Sequence, residues 1–438
     1  MRLTASSGIE KHREKHWLRT ACSLALLLCP KSAWAGDTFT LGQLEDLALS
    51  GNPALQSAAR SVDGAAAAIQ TARAYPDPQV EYMAGSTRYR PNVSGVSGAL
   101  DSLSISQPLD LPFRRNPRIA AAKAGRDASA AAYRVFENDW IADLRRAYFD
   151  VLRRRAEKDN TQQDLSLMQS VYTKIKLRVE QGDAPRIELI RAEADLLNVQ
   201  KNAQAAMLRE EQALLQLRAM VGPQLPVDYT VTGQLDQPLP LPPLGGLVDK
   251  ALAANPTLDQ ARAQSEQARH RLNYEEAGRL PTVTLRANRQ VDREIRQDMI
   301  GLNLSIPLWD RRLGPVREAQ AQLAQSQLAL DAQTYAIRQD LEIALRQYEV
   351  AQAQVVALEN GVVAQARAAV AVAETAYRAG ERGLMDVLDA QRVFRSARAD
   401  LIASRFELAA AWVDIQRLIA APSQNPASSP TPANRTNP

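Results

Sequence analysis

Two carboxylates offer the first chemistry in this chain, Asp386 and Asp389, in the stretch 377–390, YRAGERGLMDVLDA. Three residues apart on a helix, they share a face. Gly380 and Gly383 stand just before them, and glycine readily takes the left-handed conformation that closes a helix. The pair therefore sits at the start of a new helix, where the dipole favours negative charge. Tyr377 and Arg382 add a phenol and a guanidinium to the same turn. No histidine accompanies them, which argues against acid–base catalysis at this tip. About two hundred residues earlier, Gly182 is followed by Glu188 at the spacing that separates Gly380 from Asp386, with a helix starting near Pro185. The bland alternative is that all of these are ordinary cap and first-turn residues.

The elements that carry these tips can be read in order. Residues 1–35 have the form of an export signal. Arg2, Lys11, Arg13, Lys15 and Arg19 lead an apolar core over 21–29, and Ala33-Trp34-Ala35 is an A-x-A site. The residue before Cys29 is Leu28, which excludes a lipobox. Removing the signal takes six of 53 basic and two of 49 acidic residues, leaving 47 of each. The mature chain is neutral, so the basic pI is no nucleic-acid footprint. Cys22 and Cys29 leave too, and an exported chain without disulfides must hold together by packing or oligomerisation.

Helical spacing from Phe39 to Tyr75, with Thr40 as a cap, gives way at Pro76-Asp77-Pro78 to a period of two. Val80, Tyr82 and Ala84 alternate with Gln79, Glu81 and Met83, and Leu103 and Ile105 with serines. This predicts a β-hairpin over about 79–108 with one apolar face. From Arg118 to Gln181 the chain holds no proline, which would make a helix of about 95 Å at 1.5 Å per residue. Leu165, Met168, Tyr172, Ile175 and Val179 step like a coiled-coil seam up to the first tip.

After a Pro-rich connector over 222–243 the programme repeats. Asn255-Pro256 echoes Asn52-Pro53, Tyr348 echoes Tyr148, and a second hairpin is expected over about 282–307. The expected division is a first structural repeat over 36–221 with its tip near 182, a second over 244–420 with its tip near 380, and a disordered tail over 421–438. Four strands are too few for a membrane barrel of one chain, since the smallest have about eight. Copies must pool their strands, and the long helices need neighbours of their own length.

The order helix, hairpin, long helix, tip and helix, twice over, resembles the TolC-type outer-membrane efflux proteins from Phe39 to about Ala420. The stretch 377–390 is similar to the family's second periplasmic tip almost residue for residue. The segments 107–124 (QPLDLPFRRNPRIAAAKA) and 305–321 (SIPLWDRRLGPVREAQA) resemble the strand-to-helix junctions of its heavy-metal cation branch. The resemblance implies a mainly α fold with a transmembrane β part. It also implies a homotrimer with a twelve-stranded β-barrel in outer-membrane lipid, continued by an α-helical periplasmic tunnel. The implied partners are a periplasmic adaptor and an inner-membrane pump of the resistance-nodulation-division type, with heavy-metal cations as first substrate. Carried over, Tyr377 and Arg382 belong to the polar network closing the tunnel, Asp386 and Asp389 to acidic rings at its mouth, and Glu188 is their first-repeat counterpart. Gly182 and Gly380 become the turns on which the adaptor docks. At the first tip Pro185-Arg186 occupies the region of Arg382, so the match is weaker there.

Other classes fare worse. No phosphate loop or nucleophile elbow is present, so neither an enzyme nor a cofactor is expected. His270 is the one histidine beyond 1–35, and no metal site is expected from it. Trp309 could be an interfacial anchor of a barrel or packing at the junction. A pore-less periplasmic coiled-coil scaffold conflicts with the alternating strands, whereas a conduit for type I protein secretion or multidrug efflux stays open.

Overall fold

The computed structural model describes residues 37–241 and 246–420. The expected signal at 1–35 and tail at 421–438 lie outside them. The first strand, β1 (Asp37–Phe39), was not expected; it pairs in parallel with β4 (Tyr229–Val231) of the connector. Thr40 then caps α1 (Leu41–Gly51) through a reciprocal bond with Gln43. Next come α2 (Pro53–Arg73), β2 (Gln79–Thr87), β3 (Gly98–Leu109), α3 (Pro112–Glu180) and α4 (Arg186–Val221). Beyond the connector the same order returns as α5 (Leu247–Ala254), α6 (Pro256–Ala277), β5 (Thr282–Val291), β6 (Arg296–Ser305), α7 (Leu313–Ala357), α8 (Val363–Arg378) and α9 (Leu384–Leu418).

The long helix α3 starts six residues before Arg118, takes Pro117 into its interior and runs for 69 residues, roughly 100 Å at 1.5 Å per residue. Its counterpart is interrupted. A π-helical turn, Leu358–Val362, divides α7 from α8 and contains Gly361. Such turns insert one residue into a helix and shift the faces that follow.

The two Asn-Pro pairs serve one device. The Asn52 carboxamide accepts from Ala54 N–H (2.7 Å) and donates to the carbonyl of Met220 (2.7 Å) at the end of α4. The Asn255 carboxamide accepts from Thr257 N–H (2.8 Å) and donates to the carbonyl of Leu418 (2.9 Å) at the end of α9. Each asparagine thus starts one helix and closes another. Asn255→Ala should cost about 2 kcal/mol, from a lost cap and an orphaned carbonyl, and lower the helical melting temperature by several degrees. An unchanged melting curve would contradict this.

Tyr148 and Tyr348 also match in role, since their hydroxyls donate to the connector carbonyls of Thr232 and Leu239. The connector therefore lies as a belt across the middle of the helices. Beneath it sits the main core, including Leu44, Leu144, Val151, Leu217 and Trp412.

At one end the four strands form one antiparallel sheet, in the order β2-β3-β5-β6. Asp101 to Leu109 pair with Val283 to Val291, which joins the two hairpins. The outer edges of β2 and β6 have no partner strand among the described residues. One face carries the rows Leu109–Val283–Leu304 and Val80–Ile105–Ala287–Ile300, with Leu285 and Leu302 between them. Val80, Ile300 and Leu302 are 66%, 82% and 70% exposed. Above them the band ends in charge, with Arg289 2.6 Å from Asp298. Along β5 its apolar residues, Val283 to Ala287, span roughly 14 Å at about 3.4 Å per residue. The other face is polar, with Ser102, Ser104 and Ser106 opposite Gln290, Asn288 and Arg286.

Candidate functional site

The far end from the sheet carries the two tips. Gly182 (φ 82°) and Gly380 (φ 77°) both turn the chain through the left-handed region, which a side chain would strain. Nothing lies within 4 Å of a Cβ placed on either, so both turns are bare on the surface. Met168, Ile175, Ala192, Leu384 and Leu388 form a core directly above them and hold the two hairpins together.

Tyr377 crosses from the second hairpin to the first. Its hydroxyl donates to the Glu188 carboxylate at 3.2 Å, and the Arg178 guanidinium stacks 5.0 Å from its ring centroid. Burial, and then the Glu188 charge, push this phenol above its ordinary range, so it stays a donor at physiological pH. Arg382 is not part of that contact within the chain. It lies 3.8 Å from Asp386, one helical turn on, while Asp389 sits 3.0 Å from Arg392. Leu384, Val387 and Leu388 of the same turns are buried, which leaves both aspartates on the exposed side. The structure thus brings Tyr377 and Glu188 together and sets Arg382, Asp386 and Asp389 apart as a second, exposed cluster.

Sequence reasoning missed Arg178, Arg395 and Arg398. Arg398 donates to Gln163 at 2.7 Å and lies 3.5 Å from Asp164, and Arg395 lies 3.4 Å from Asp195. With Tyr377–Glu188 they make a polar ladder between the second hairpin, α8 and α9, and the first. Burial raises the Asp164 carboxyl, and its two arginines only partly offset this. No sequence signal marked them, because each partner lies on another helix.

The junction segments have a structural task. Arg118 holds the buried Asp110 with both nitrogens (2.6 and 3.3 Å) and donates to the carbonyl of Ala72 at 3.0 Å. Arg115 donates to the carbonyl of Arg73 at 2.9 Å and stacks on Tyr75. These guanidiniums satisfy the open carbonyls at the end of α2. On the other side, Arg312 and Arg271 converge on the buried Glu275 of α6. Both segments fasten strand to helix. Trp309, beside β6, is 93% exposed among the described residues. His270 is half-buried, and among the described residues no group of three or more potential ligands is placed to hold a metal ion.

The family model described as outer membrane efflux protein matches residues 44–223 and 247–421. The chain belongs to the outer membrane efflux protein family. It is similar to the cobalt-zinc-cadmium resistance protein CzcC of Cupriavidus metallidurans, 25% identical over 368 residues, which covers 83% of this chain and 86% of that one. It is also similar to the alkaline protease secretion protein AprF of Pseudomonas aeruginosa, 24% identical over 417 residues and covering 87% and 84% of the two. The fold matches the outer-membrane channel OprN with a TM-score of 0.74, at 20% identity and over 88% and 91% of the chains. This outer membrane efflux protein is thus a transport component of the Gram-negative outer membrane with a large periplasmic part. It works as the outer-membrane member of a tripartite efflux system.

Proposed function

We propose that three copies close a twelve-stranded barrel and a helical tunnel, and that the tunnel is shut at the tips. The observation that carries this reading is the four-stranded sheet with two unpartnered edges. Unpaired strand edges in lipid cost several kcal/mol per backbone group, so the sheet must be closed by other copies. Exposed apolar residues along α4 (Leu197, Leu208, Leu215) and α7–α8 (Leu328, Tyr335, Val372) call for the same neighbours. The division into repeats 36–221 and 244–420 around the connector belongs to this reading. So does docking of a periplasmic adaptor on the Gly182 and Gly380 turns, with a resistance-nodulation-division pump behind it.

Asp386 and Asp389 would line the mouth as acidic rings that gather cations and repel anions. The double change Asp386→Ala, Asp389→Ala should lower cation selectivity in planar bilayers and abolish block by multivalent cations. Folding should barely change, because first-turn acids contribute only about 0.3–1 kcal/mol each. Wild-type selectivity and block in that variant would turn the carboxylates into plain helix-start residues. A monodisperse monomer with native helicity would sink the trimer itself.

For substrate, heavy-metal cations come first. The likeness to CzcC supports this, since the junction arginines that first pointed there are occupied in fastening strand to helix. Deleting the gene should sensitise cells to cobalt, zinc, cadmium, nickel or copper salts. The comparable likeness to AprF supports a second reading, a conduit for type I protein secretion. Loss of an exported protein with unchanged metal tolerance would favour it.

A further inference from the structure

Midway along the helical layer, α7 and α9 leave a groove of about 580 Å³ between them. Ile337, Leu341 and Ala344 of α7 pack against α5 and the end of α9, and Tyr348 holds the belt, so that side of α7 faces the connector. Ile343 and Val350 lie on the opposite side, about 180–200° from Leu341 at 3.6 residues per turn. They line the groove beside the buried Ala351 and Ala411 and are themselves 54% and 58% exposed. Its rims carry Glu342 and Arg346 on α7 and Glu407 and Asp414 on α9. Arg346 donates to Glu349 at 2.7 Å, and Asp414 pairs with Arg146. Glu407 is exposed and makes no ion pair among the described residues. The lining itself sets three carboxylates, Glu342, Glu407 and Asp414, against the Arg346 guanidinium, which leaves it two charges negative per chain.

We propose that this groove binds amphipathic organic cations. A flat apolar body covers Ile343 and Val350, which otherwise face water, while its positive end lies beside Glu407. A bare metal ion is the poorer fit, since hard cations need several converging oxygens and these acids are spread along two helices. The inference rests on the tubular reading above, which puts the belt outside and this face on the lumen. Three copies would then set three such grooves at one height.

The test uses the full chain in amphipol, free of micelles, titrated with ethidium and followed by fluorescence anisotropy. Tetraphenylphosphonium and tetraphenylborate serve as competitors of matched shape and opposite charge. The cation should displace ethidium at concentrations at least about tenfold lower than the anion does. Glu407→Gln and Ile343→Ser should each weaken ethidium binding about five- to tenfold with unchanged helical circular dichroism, as both side chains are exposed. Absent ethidium binding, equal competition by tetraphenylborate, or wild-type affinity in either variant overturns the proposal. Conductance of the same preparation in planar bilayers tests the tube separately. A conducting protein that ignores ethidium loses only the groove, and cation-selective binding without conductance keeps the groove and discards the tube.

Discussion

Tyr377→Phe combined with Glu188→Gln should raise the conductance of the reconstituted channel sharply. The pair is a hydrogen bond between the two tips, and each copy of a trimer would contribute one. A hydrogen bond to a charged group is worth up to about 3 kcal/mol, and half-exposure reduces this to about 1 kcal/mol. Three copies then bias the closed state by about 3 kcal/mol, roughly a hundredfold in the open-to-closed ratio. Arg382→Ser should do less, because its guanidinium lies on Asp386 at an exposed rim. Equal conductance in the Tyr377/Glu188 variant and the wild type would remove the latch from the gate. A larger effect of Arg382→Ser would place the latch between copies instead of within them.

Arg145→Leu alone should cost about 3–5 kcal/mol, enough to lose assembled protein, whereas Arg145→Leu with Glu45→Val should be far milder. Arg145 donates to Glu45 at 2.7 Å, and the two side chains are 4% and 0% exposed within the main core. One oxygen of Glu45 and one terminal nitrogen of Arg145 find no partner there. Removing one member strands a buried charge; removing both replaces a costly pair by apolar contact. The corresponding positions after the connector are Val248 and Leu345, so the chain already carries the apolar version once. Its setting differs, as Val248 is 42% exposed. Thermal melts and trimer yield of the single and double variants decide the point. A double variant as damaged as the single would show that the pair specifies how α1 docks on α3.

The regular elements were legible wherever one side of an element alone decided burial. Period-two runs located both hairpins to within two or three residues, and Thr40 marked a helix start because capping is a local matter. The seam through Met168 and Ile175 was legible because both stay on one buried side of α3, where they meet α4 and α9 together. Along α9, Phe394, Leu401, Leu408 and Ile415 stand one heptad apart, yet of the four only Ile415 is buried. Helix α9 touches neighbours on two sides, and small residues such as Ala397, Ser404 and Ala411 make the close contacts. The strand β1 escaped notice because three residues carry no period, and its partner lies some 190 residues away.

By itself the sequence determined the order of elements, the two glycine turns, the apolar face of each hairpin and the likeness to outer-membrane efflux proteins. All of these follow from backbone preference and periodicity, which act within a few residues. The tertiary structure alone decided that Tyr377 meets Glu188 while Arg382 does not. It likewise joined β3 to β5, turned the junction arginines into fasteners and left a negative groove between α7 and α9. Each of these depends on which helix or strand stands beside which, and that is fixed by burial summed over the whole chain.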